Sequence, residues 1–357
     1  MKNNKIVVLG GYGTFGSLIS SQLAASGNLF IVGRNHKQGQ EFSKSIGANF
    51  VHCDIEDKDS LGHAIQEAKI VINTTGPFIS GNYSIPKYCI EQGCNYIDLA
   101  DGRDYVSGFN TLNNLAKKNK VFACTGASTA PAITYAMISN LLEKSDAIES
   151  IKIAMNAGNK NKPGISTFKS ILMYTGTNIQ VWENGHWKTR MGWGQSEIFE
   201  FPSPVGKRLV QLCDVPDLDL FPKVFKASTV IFKAGVELSF FNLGLSILAY
   251  MKKTFHQIDL VSLAKPLVKT SRFFKLLGSY SGGISVTVET KDGRKYTASF
   301  VTTQNGPYIP ASPAVILTRK LLFEDHLLNF GAFPCIGFID LKEFQRHLSP
   351  YGVKLVL

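Results

Sequence analysis

No C-x-x-C pair occurs among the six cysteines of this 357-residue chain, Cys53, Cys89, Cys94, Cys124, Cys213 and Cys335. Most lie in apolar runs and read as buried free thiols of a reducing compartment, which argues against a disulfide framework. The seven histidines show no H-x3-H spacing and no cysteine partners, so no metal site is expected. A G-x-S-x-G elbow and a Walker lysine are both missing, and with them the usual grounds for a hydrolase or a kinase. No run of five like charges appears, and the aromatics are not interleaved with Lys and Arg as a single-strand binder needs. Nucleic acid is therefore not expected as a partner. The basic start and "QLAASG" mimic a secretory leader, but the apolar run lasts only from Ile6 to Leu9 before glycine begins, too short for an h-region. A cytoplasmic start is expected. One stretch, "VIFKAGVELSFFNLGLSILAYM" (230–251), is long enough to span a bilayer, yet it contains Lys233, Glu237 and Asn242. Charges at bilayer depth are expensive, so a buried or surface-docked helix is expected there, with peripheral membrane contact left open.

What is present points to two domains. The length exceeds one ordinary core, since domains usually run ~100–200 residues. Charge is divided unevenly: residues 1–125 carry 12 Lys and Arg against 10 Asp and Glu, whereas residues 126–357 carry 26 against 17. The basic excess thus belongs to the second part. It describes a solvated surface at the least, and an attraction for anionic partners at the most.

In the first ~125 residues short Val/Ile/Phe-rich runs alternate with helical patterns. "KIVVLG" (5–10), "LFIVG" (29–33), "NFVHCDI" (49–55), "KIVINTT" (69–75), "NYIDLA" (95–100) and "VFACTG" (121–126) predict six strands. Phe15, Leu18, Ile19 and Leu23 carry helical spacing between the first two, and 58–68, 83–93 and 109–119 repeat the theme. Strict alternation calls for parallel strands with right-handed crossovers, hence an α/β doubly wound Rossmann sheet. From residue 131 the pattern changes to longer β segments with hairpin signals at Asn184-Gly185 and Asp292-Gly293, a helix near 166–175 and others in 238–277. This predicts a separate α+β unit. Near the end, "SPAVILTRKLLFE" (312–324) reads as a helix capped by Ser312 with Pro313 at its first position.

Gly11, Gly13 and Gly16 in "VVLGGYGTFG" fit G-x-G-x-x-G directly after a strand and at the opening of a helix, the context that marks a dinucleotide site. The first glycine would permit the tight turn, the second the close approach of backbone N–H to a pyrophosphate, and the third helix–sheet packing. Tyr12, Thr14 and Phe15 fill the intervening positions, Tyr12 as cover for the dinucleotide and Phe15 as packing for the helix. NAD enzymes place an acid at the end of the second strand; here "IVGRNHK" offers Arg34, Asn35 and Lys37 and no acid, which favours NADP. Asp54 would contact the adenine edge or make a turn. Thr74, Thr75, Gly76 and Pro77 would line the nicotinamide half. Asp98 and Asp101, at the end of the fifth strand, are the carboxylates expected to meet substrate, and Tyr308 is a candidate phenol donor. Tyr83 and Lys87 make a Y-x-x-x-K, but Pro86 and their early position argue against a catalytic pair.

Taken in order, "VVLGGYGTFG", "VGRN", "INTTGPF", "CIEQGCNYIDLADG", "TGASTAPAITY" and "GAFPCIGFIDL" resemble the saccharopine dehydrogenase-like (saccharopine reductase-like) oxidoreductases, strongly over 1–135 and more loosely beyond. The resemblance implies a Rossmann domain (1–130), an α+β substrate or dimerisation domain (131–304) and a closing segment (305–357) that returns to the first domain. It also implies hydride transfer between NADP(H) and a small molecule held between domains. A homodimer is among the assemblies it allows. Matching positions are Gly11, Tyr12, Gly13, Phe15, Gly16, Arg34, Thr75, Gly76 and Pro77 for cofactor, and Tyr96, Asp98 and Asp101-Gly102 near substrate. A tricarboxylate such as saccharopine would need several arginines, and the substrate domain (131–304) offers only the scattered Arg190, Arg208, Arg272 and Arg294. A substrate reacting at a C–N bond and an apolar, lipid-like substrate both stay open. So does a non-catalytic NADP(H) sensor or scaffold.

Overall fold

The computed structural model describes residues 4–78, 80–142, 147–161, 164–255, 257–271, 273–324 and 328–357. Arg272, His256 and His326 lie outside the described residues. In chain order the first strands and helices are β1 (Lys5–Leu9), helix Gly16–Leu23, β2 (Asn28–Gly33), helix His36–Ser45, β3 (Asn49–His52), helix Lys58–Ile65, β4 (Ile70–Asn73), helix Ser84–Glu91, β5 (Asn95–Asp98), helices Arg103–Gly108 and Asn113–Lys118, and β6 (Phe122–Thr125). The strands that follow are β7 (Ile148–Ala157), β8 (Asn178–Glu183), β9 (His186–Met191), β10 (Glu197–Phe201), β11 (Gly206–Leu212), β12 (Thr229–Val236), β13 (Gly282–Thr290), β14 (Lys295–Thr302), β15 (Gly331–Pro334) and β16 (Lys354–Val356). The chain divides into two compact units, Met1–Ala132 with Pro310–Ile339, and Ile133–Ile309 with Asp340–Leu357.

The first unit is built on a parallel sheet in the order β15-β6-β5-β4-β1-β2-β3. Without β15 this is the 3-2-1-4-5-6 order of a dinucleotide-binding doubly wound fold, whose strand order reverses between β1 and β4. The central strands are apolar on both faces because helices cover both. Ile6, Val7, Val8 and Leu9 of β1 and Ile70, Val71 and Ile72 of β4 have no exposed surface, and Ile19 and Leu23 bury one stripe of helix Gly16–Leu23. Burial of each such side chain is worth ~1.5–3 kcal/mol. Four further helix starts are set by local chemistry. Asn35 caps His36–Ser45 by accepting from Gln38 N–H at 3.1 Å, and Asp57 caps Lys58–Ile65 through the N–H groups of Asp59 and Ser60. Asp340 and Glu343 form a reciprocal capping box at helix Leu341–Leu348, and Gly102 opens helix Arg103–Gly108 in extended geometry.

The second unit is a mixed sheet ordered β10-β11-β12-β7-β13-β14-β16, with β8 and β9 joined through β12. Only β12 and β7 run parallel; the other pairs are antiparallel. Both expected hairpins are present, Asn184-Gly185 between β8 and β9 and Asp292-Gly293 between β13 and β14. Their turns take Asn184, Gly185 and Gly293 at positive φ. Five of the six cysteines are buried free thiols, and Cys213 is half-buried.

Three expectations need correction. Residues 230–251 are not one helix. They hold strand β12, pinned between β7 and β11, and most of the helix Ser239–Thr254, because Glu237 and Leu238 break the run and the strand's backbone is consumed by its neighbours. Among the described residues no helix is long and apolar enough to cross a membrane. The helix expected over 312–324 starts at Tyr308, with Ser312 fully buried inside it rather than capping it. At that start the Tyr308 ring stacks on Tyr351 at 4.1 Å between centroids. Finally, the closing segment does not return whole to the nucleotide unit. Residues 310–339 do, with β15 added beside β6, while β16 pairs with β14 in the second sheet.

Candidate dinucleotide site

The loop after β1 and the loop after β4 meet at the point where the sheet order reverses. Gly10, which the motif spacing passes over, makes the tight turn. Its φ is +73°, and an added Cβ would lie 2.8 Å from Thr75 Cγ2 and 3.0 Å from Thr74 Oγ1. Gly16 is closer still: its Cβ would stand 2.2 Å from the Gly10 carbonyl oxygen. Gly13 donates its N–H to that same carbonyl at 2.8 Å and is otherwise open to solvent. Gly11 is buried, and its carbonyl accepts from Ser20 Oγ at 3.0 Å. The doublet Gly10-Gly11 was the available signal for the turn.

Thr74 ties the two loops together. Its Oγ1 donates to Leu9 O at 2.8 Å and lies 3.1 Å from Gly10 O, while its N–H bonds Leu9 O at 3.0 Å. Beneath it, buried Asn73 accepts from Thr75 N–H at 3.0 Å and donates to the Tyr96 hydroxyl at 3.0 Å. Thr74 and Thr75 are thus clamped by the sheet before any ligand arrives. Gly76 and Pro77 follow at the crevice, joined by a cis peptide.

At the end of β2, Tyr12 lies across the strand and its hydroxyl accepts from Asn35 N–H at 2.8 Å. Gly33 makes this possible, since a Cβ there would meet the Tyr12 ring at 2.5 Å. Tyr12 is therefore a fixed wall at this end, and Asn35 spends its side chain on the helix cap. Arg34 and Lys37 are exposed, and among the described residues Arg34 has no hydrogen-bond or ion-pair partner. Lys37 lines a shallow depression on helix His36–Ser45 together with His36, Gln40, Glu41 and Lys44. Asp54 makes a turn: its Oδ1 accepts from Glu56 N–H at 3.2 Å.

A dinucleotide fits these residues. The N–H groups of Thr14, Phe15 and Gly16 have no protein acceptor among the described residues and stand at the opening of a helix, where a pyrophosphate is favoured. Gly10 and Gly16 clear the space in which side chains would otherwise displace the loop.

The two carboxylates at the end of β5 have opposite fates. Asp98 is fully buried, and its Oδ1 accepts from Thr125 Oγ1 at 2.7 Å, Ala100 N–H at 3.0 Å and Gly126 N–H at 3.1 Å. Burial pushes its carboxyl up to about 6, against the pull of those three donors. Its Oδ2 has no hydrogen-bond partner although the phenols of Tyr96 and Tyr105 stand close enough to act on its charge. Asp98 was expected to meet substrate; the structure makes it a positioning residue that knits the loops after β5 and β6. Asp101, three residues further on, keeps an exposed side chain.

Tyr308 belongs to the second unit, where its ring is taken up by Tyr351. Tyr83 and Lys87 do not form a pair: the Tyr83 hydroxyl donates to Tyr105 O at 2.8 Å, and Lys87 lies 3.9 Å from Glu91. Among the described residues no cluster of His, Cys, Asp or Glu could hold a metal ion. In the second unit, Arg190 pairs with Glu183, Arg294 with Asp292 at 2.8 Å, and Arg208 with Glu237 at 3.4 Å. Burial alone would raise the Glu237 carboxyl, but the N–H groups of Ser279 and Asn159, the Ser279 hydroxyl and Arg208 hold it below its usual range.

Residues 6–149 match the family model described as the saccharopine dehydrogenase NADP binding domain. Among solved structures, the chain is similar to apo saccharopine dehydrogenase (L-Glu forming) from Saccharomyces cerevisiae, at 13% identity and TM-score 0.65, covering 99% of this chain and 100% of that one. GenD2 from gentamicin A biosynthesis, in complex with NAD, aligns at 12% identity and TM-score 0.48 over 93% of this chain and 89% of that one. No curated protein matches. At such identity the likeness to the yeast enzyme speaks for the fold.

Proposed function

We propose, from the match of residues 6–149 to the model of the saccharopine dehydrogenase NADP binding domain, that the protein is an NADP(H)-dependent oxidoreductase acting on an apolar small molecule. The observation that carries the reading is the cradle after β1: three N–H groups without protein acceptors among the described residues, beside glycines that admit no side chain. When bound, the dinucleotide supplies or accepts the hydride. The chain's own residues do the rest. Thr74 and Asn73 hold the loops rigid, and Tyr12 walls the adenosine end. Arg34 and Lys37, with no acid at the end of β2, favour the 2′-phosphate of NADP.

Asp101 is the carboxyl we assign to the substrate, because it is exposed at the crevice end of β5 where Asp98 is not. An exposed carboxyl at this point can hydrogen-bond substrate or pass a proton. The arginine pairing supports an apolar substrate. Among the described residues of that set, Arg190, Arg208 and Arg294 are each engaged by a carboxylate of this chain and not held ready for the carboxylates of a saccharopine-like molecule.

NADPH titration followed by a substrate screen, read as loss of nicotinamide absorbance, tests the reading. Asp101→Ala is expected to lower kcat by about 100-fold or more while leaving NADPH affinity unchanged. Binding of NADPH with no turnover of any substrate would select the sensor reading instead. Arg34→Ala tests cofactor choice: losing a charge-assisted contact to the extra phosphate should weaken NADPH by about 10- to 100-fold and leave NADH almost unaffected. Equal weakening of both would contradict the assignment.

A further inference from the structure

The helix Ser239–Thr254 is fastened by one side and bare on the other. On the inner side, buried Asn242 accepts from Val236 N–H at 3.1 Å and donates to Val236 O at 2.8 Å, and its own carbonyl accepts from Gln211 at 3.1 Å. Leu245 and Leu248 pack into a small core with Leu172, Leu260 and Leu267. On the outer side, Phe240, Leu243, Ile247, Tyr250 and Met251 recur at helical spacing and form one stripe. Leu243 is 58% exposed, Ile247 54% and Tyr250 62%. Phe240 continues the patch onto Phe274 at 5.5 Å, next to which Phe273 is 77% exposed. Scattered exposed apolar residues need no explanation, but a continuous aromatic and aliphatic stripe on a secured helix does.

Charge identifies what covers it. From Leu238 to Leu277 the sequence has five lysines and one arginine against the single acid Asp259. Lys253 at the end of the helix, and Lys265 and Lys269 on helix Ala264–Ser271, are exposed. A second copy docked symmetrically would bring this basic segment against itself, a like-charge juxtaposition. The surface of an anionic bilayer meets both requirements, taking the apolar stripe into the acyl boundary and the lysines at the headgroups. At 16 residues the helix is suited to lie in the interface.

We propose that the stripe Phe240–Leu243–Ile247–Tyr250–Met251, with the exposed lysines of the same basic segment, is a peripheral docking surface for anionic phospholipid membrane. The full chain is to be sedimented with phosphatidylcholine vesicles with and without phosphatidylglycerol. Binding is expected to the anionic vesicles and to be weaker by about tenfold or more on phosphatidylcholine alone. The double variant Leu243→Asp/Ile247→Asp should lose about tenfold or more of that binding with circular dichroism and NADPH affinity unchanged. The triple variant Lys253→Glu/Lys265→Glu/Lys269→Glu should abolish the preference for anionic vesicles. It changes only exposed side chains, so it decides the matter if the double variant loses its fold. Wild-type chain left in the supernatant, or either variant sedimenting like wild type, would overturn the proposal. So would a wild-type dimer, seen by light scattering, that the double variant dissociates, because the stripe would then be covered by a second copy.

Discussion

Gly16→Ala should all but abolish dinucleotide binding and destabilise the first unit. The new methyl would lie 2.2 Å from the Gly10 carbonyl oxygen, 2.8 Å from Thr74 Oγ1 and 2.9 Å from Gly11 Cα. None of these is the far end of a flexible side chain. Two are backbone, and the third is fixed by its bonds to Leu9 and Gly10. Relief therefore requires helix Gly16–Leu23 to move away from the loop, taking with it the free N–H groups that favour a pyrophosphate. Overpacking of this kind costs about 1–3 kcal/mol of stability, and NADPH affinity should fall by about 100-fold or more, equivalent to about 2.7 kcal/mol. Gly13→Ala makes the contrast. Its Cβ meets only the Gly10 carbonyl, at 3.1 Å, on the open side of the loop. It should weaken NADPH with little change in stability. Calorimetric titration together with thermal melts separates the two. A Gly16→Ala protein that binds NADPH within about threefold of wild type would show that this loop does not hold the cofactor.

The second large effect is on stability in the second unit. Asp217 is fully buried; its Oδ1 accepts from Thr134 Oγ1 at 2.6 Å, and its Oδ2 has no hydrogen-bond partner. Burial pushes its carboxyl up to about 7, only partly offset by the Thr134 hydroxyl. In the unfolded chain the same group titrates near its ordinary value of 3.8. Between these pH values the folded protein holds a proton that the unfolded chain has released. The stabilisation from this group is therefore complete below pH ~4 and is lost as pH rises through ~7. The difference of about three pH units corresponds to about 4 kcal/mol. Asp217→Asn removes the titration, so its stability should change less steeply between pH 4.5 and 8 than that of wild type. Urea unfolding followed by tryptophan fluorescence reads this unit specifically, because Trp182, Trp187 and Trp193 all lie in it. Identical pH slopes for the two proteins would mean that Asp217 is ionised in the folded state.

How far the sequence was sufficient depends on the range of the interactions involved. The doubly wound order was legible because each strand from β1 to β6 carries its own apolar run and most crossover helices their own stripe, the polar helix His36–Ser45 being the exception, and short right-handed connections leave few ways to arrange them. The glycine loop and Arg34 were legible for the same reason: a tight turn, an adjacent helix start and an unaccompanied cation at the end of β2 are local facts. The hairpins at Asn184-Gly185 and Asp292-Gly293 announced themselves through residues that tolerate positive φ. Tertiary structure decided whatever depends on distant partners. Asp98 and Asp101, three residues apart and alike on paper, became a buried clamp and an exposed acid because Thr125 and Gly126, on another strand, turn toward only one of them. The apolar run 230–251 divided into strand and helix because β7 and β11 claim its first half. The short β15 was placed by the open edge of β6, where Ala332 N–H also meets the side chain of Asn113 at 3.1 Å. Composition and periodicity by themselves thus determined a nucleotide-binding sheet, its glycine turn and the charge beside it. Which carboxylate faces solvent and which apolar surface remains bare followed only from contacts between residues far apart in the chain, since burial is a property of the whole fold.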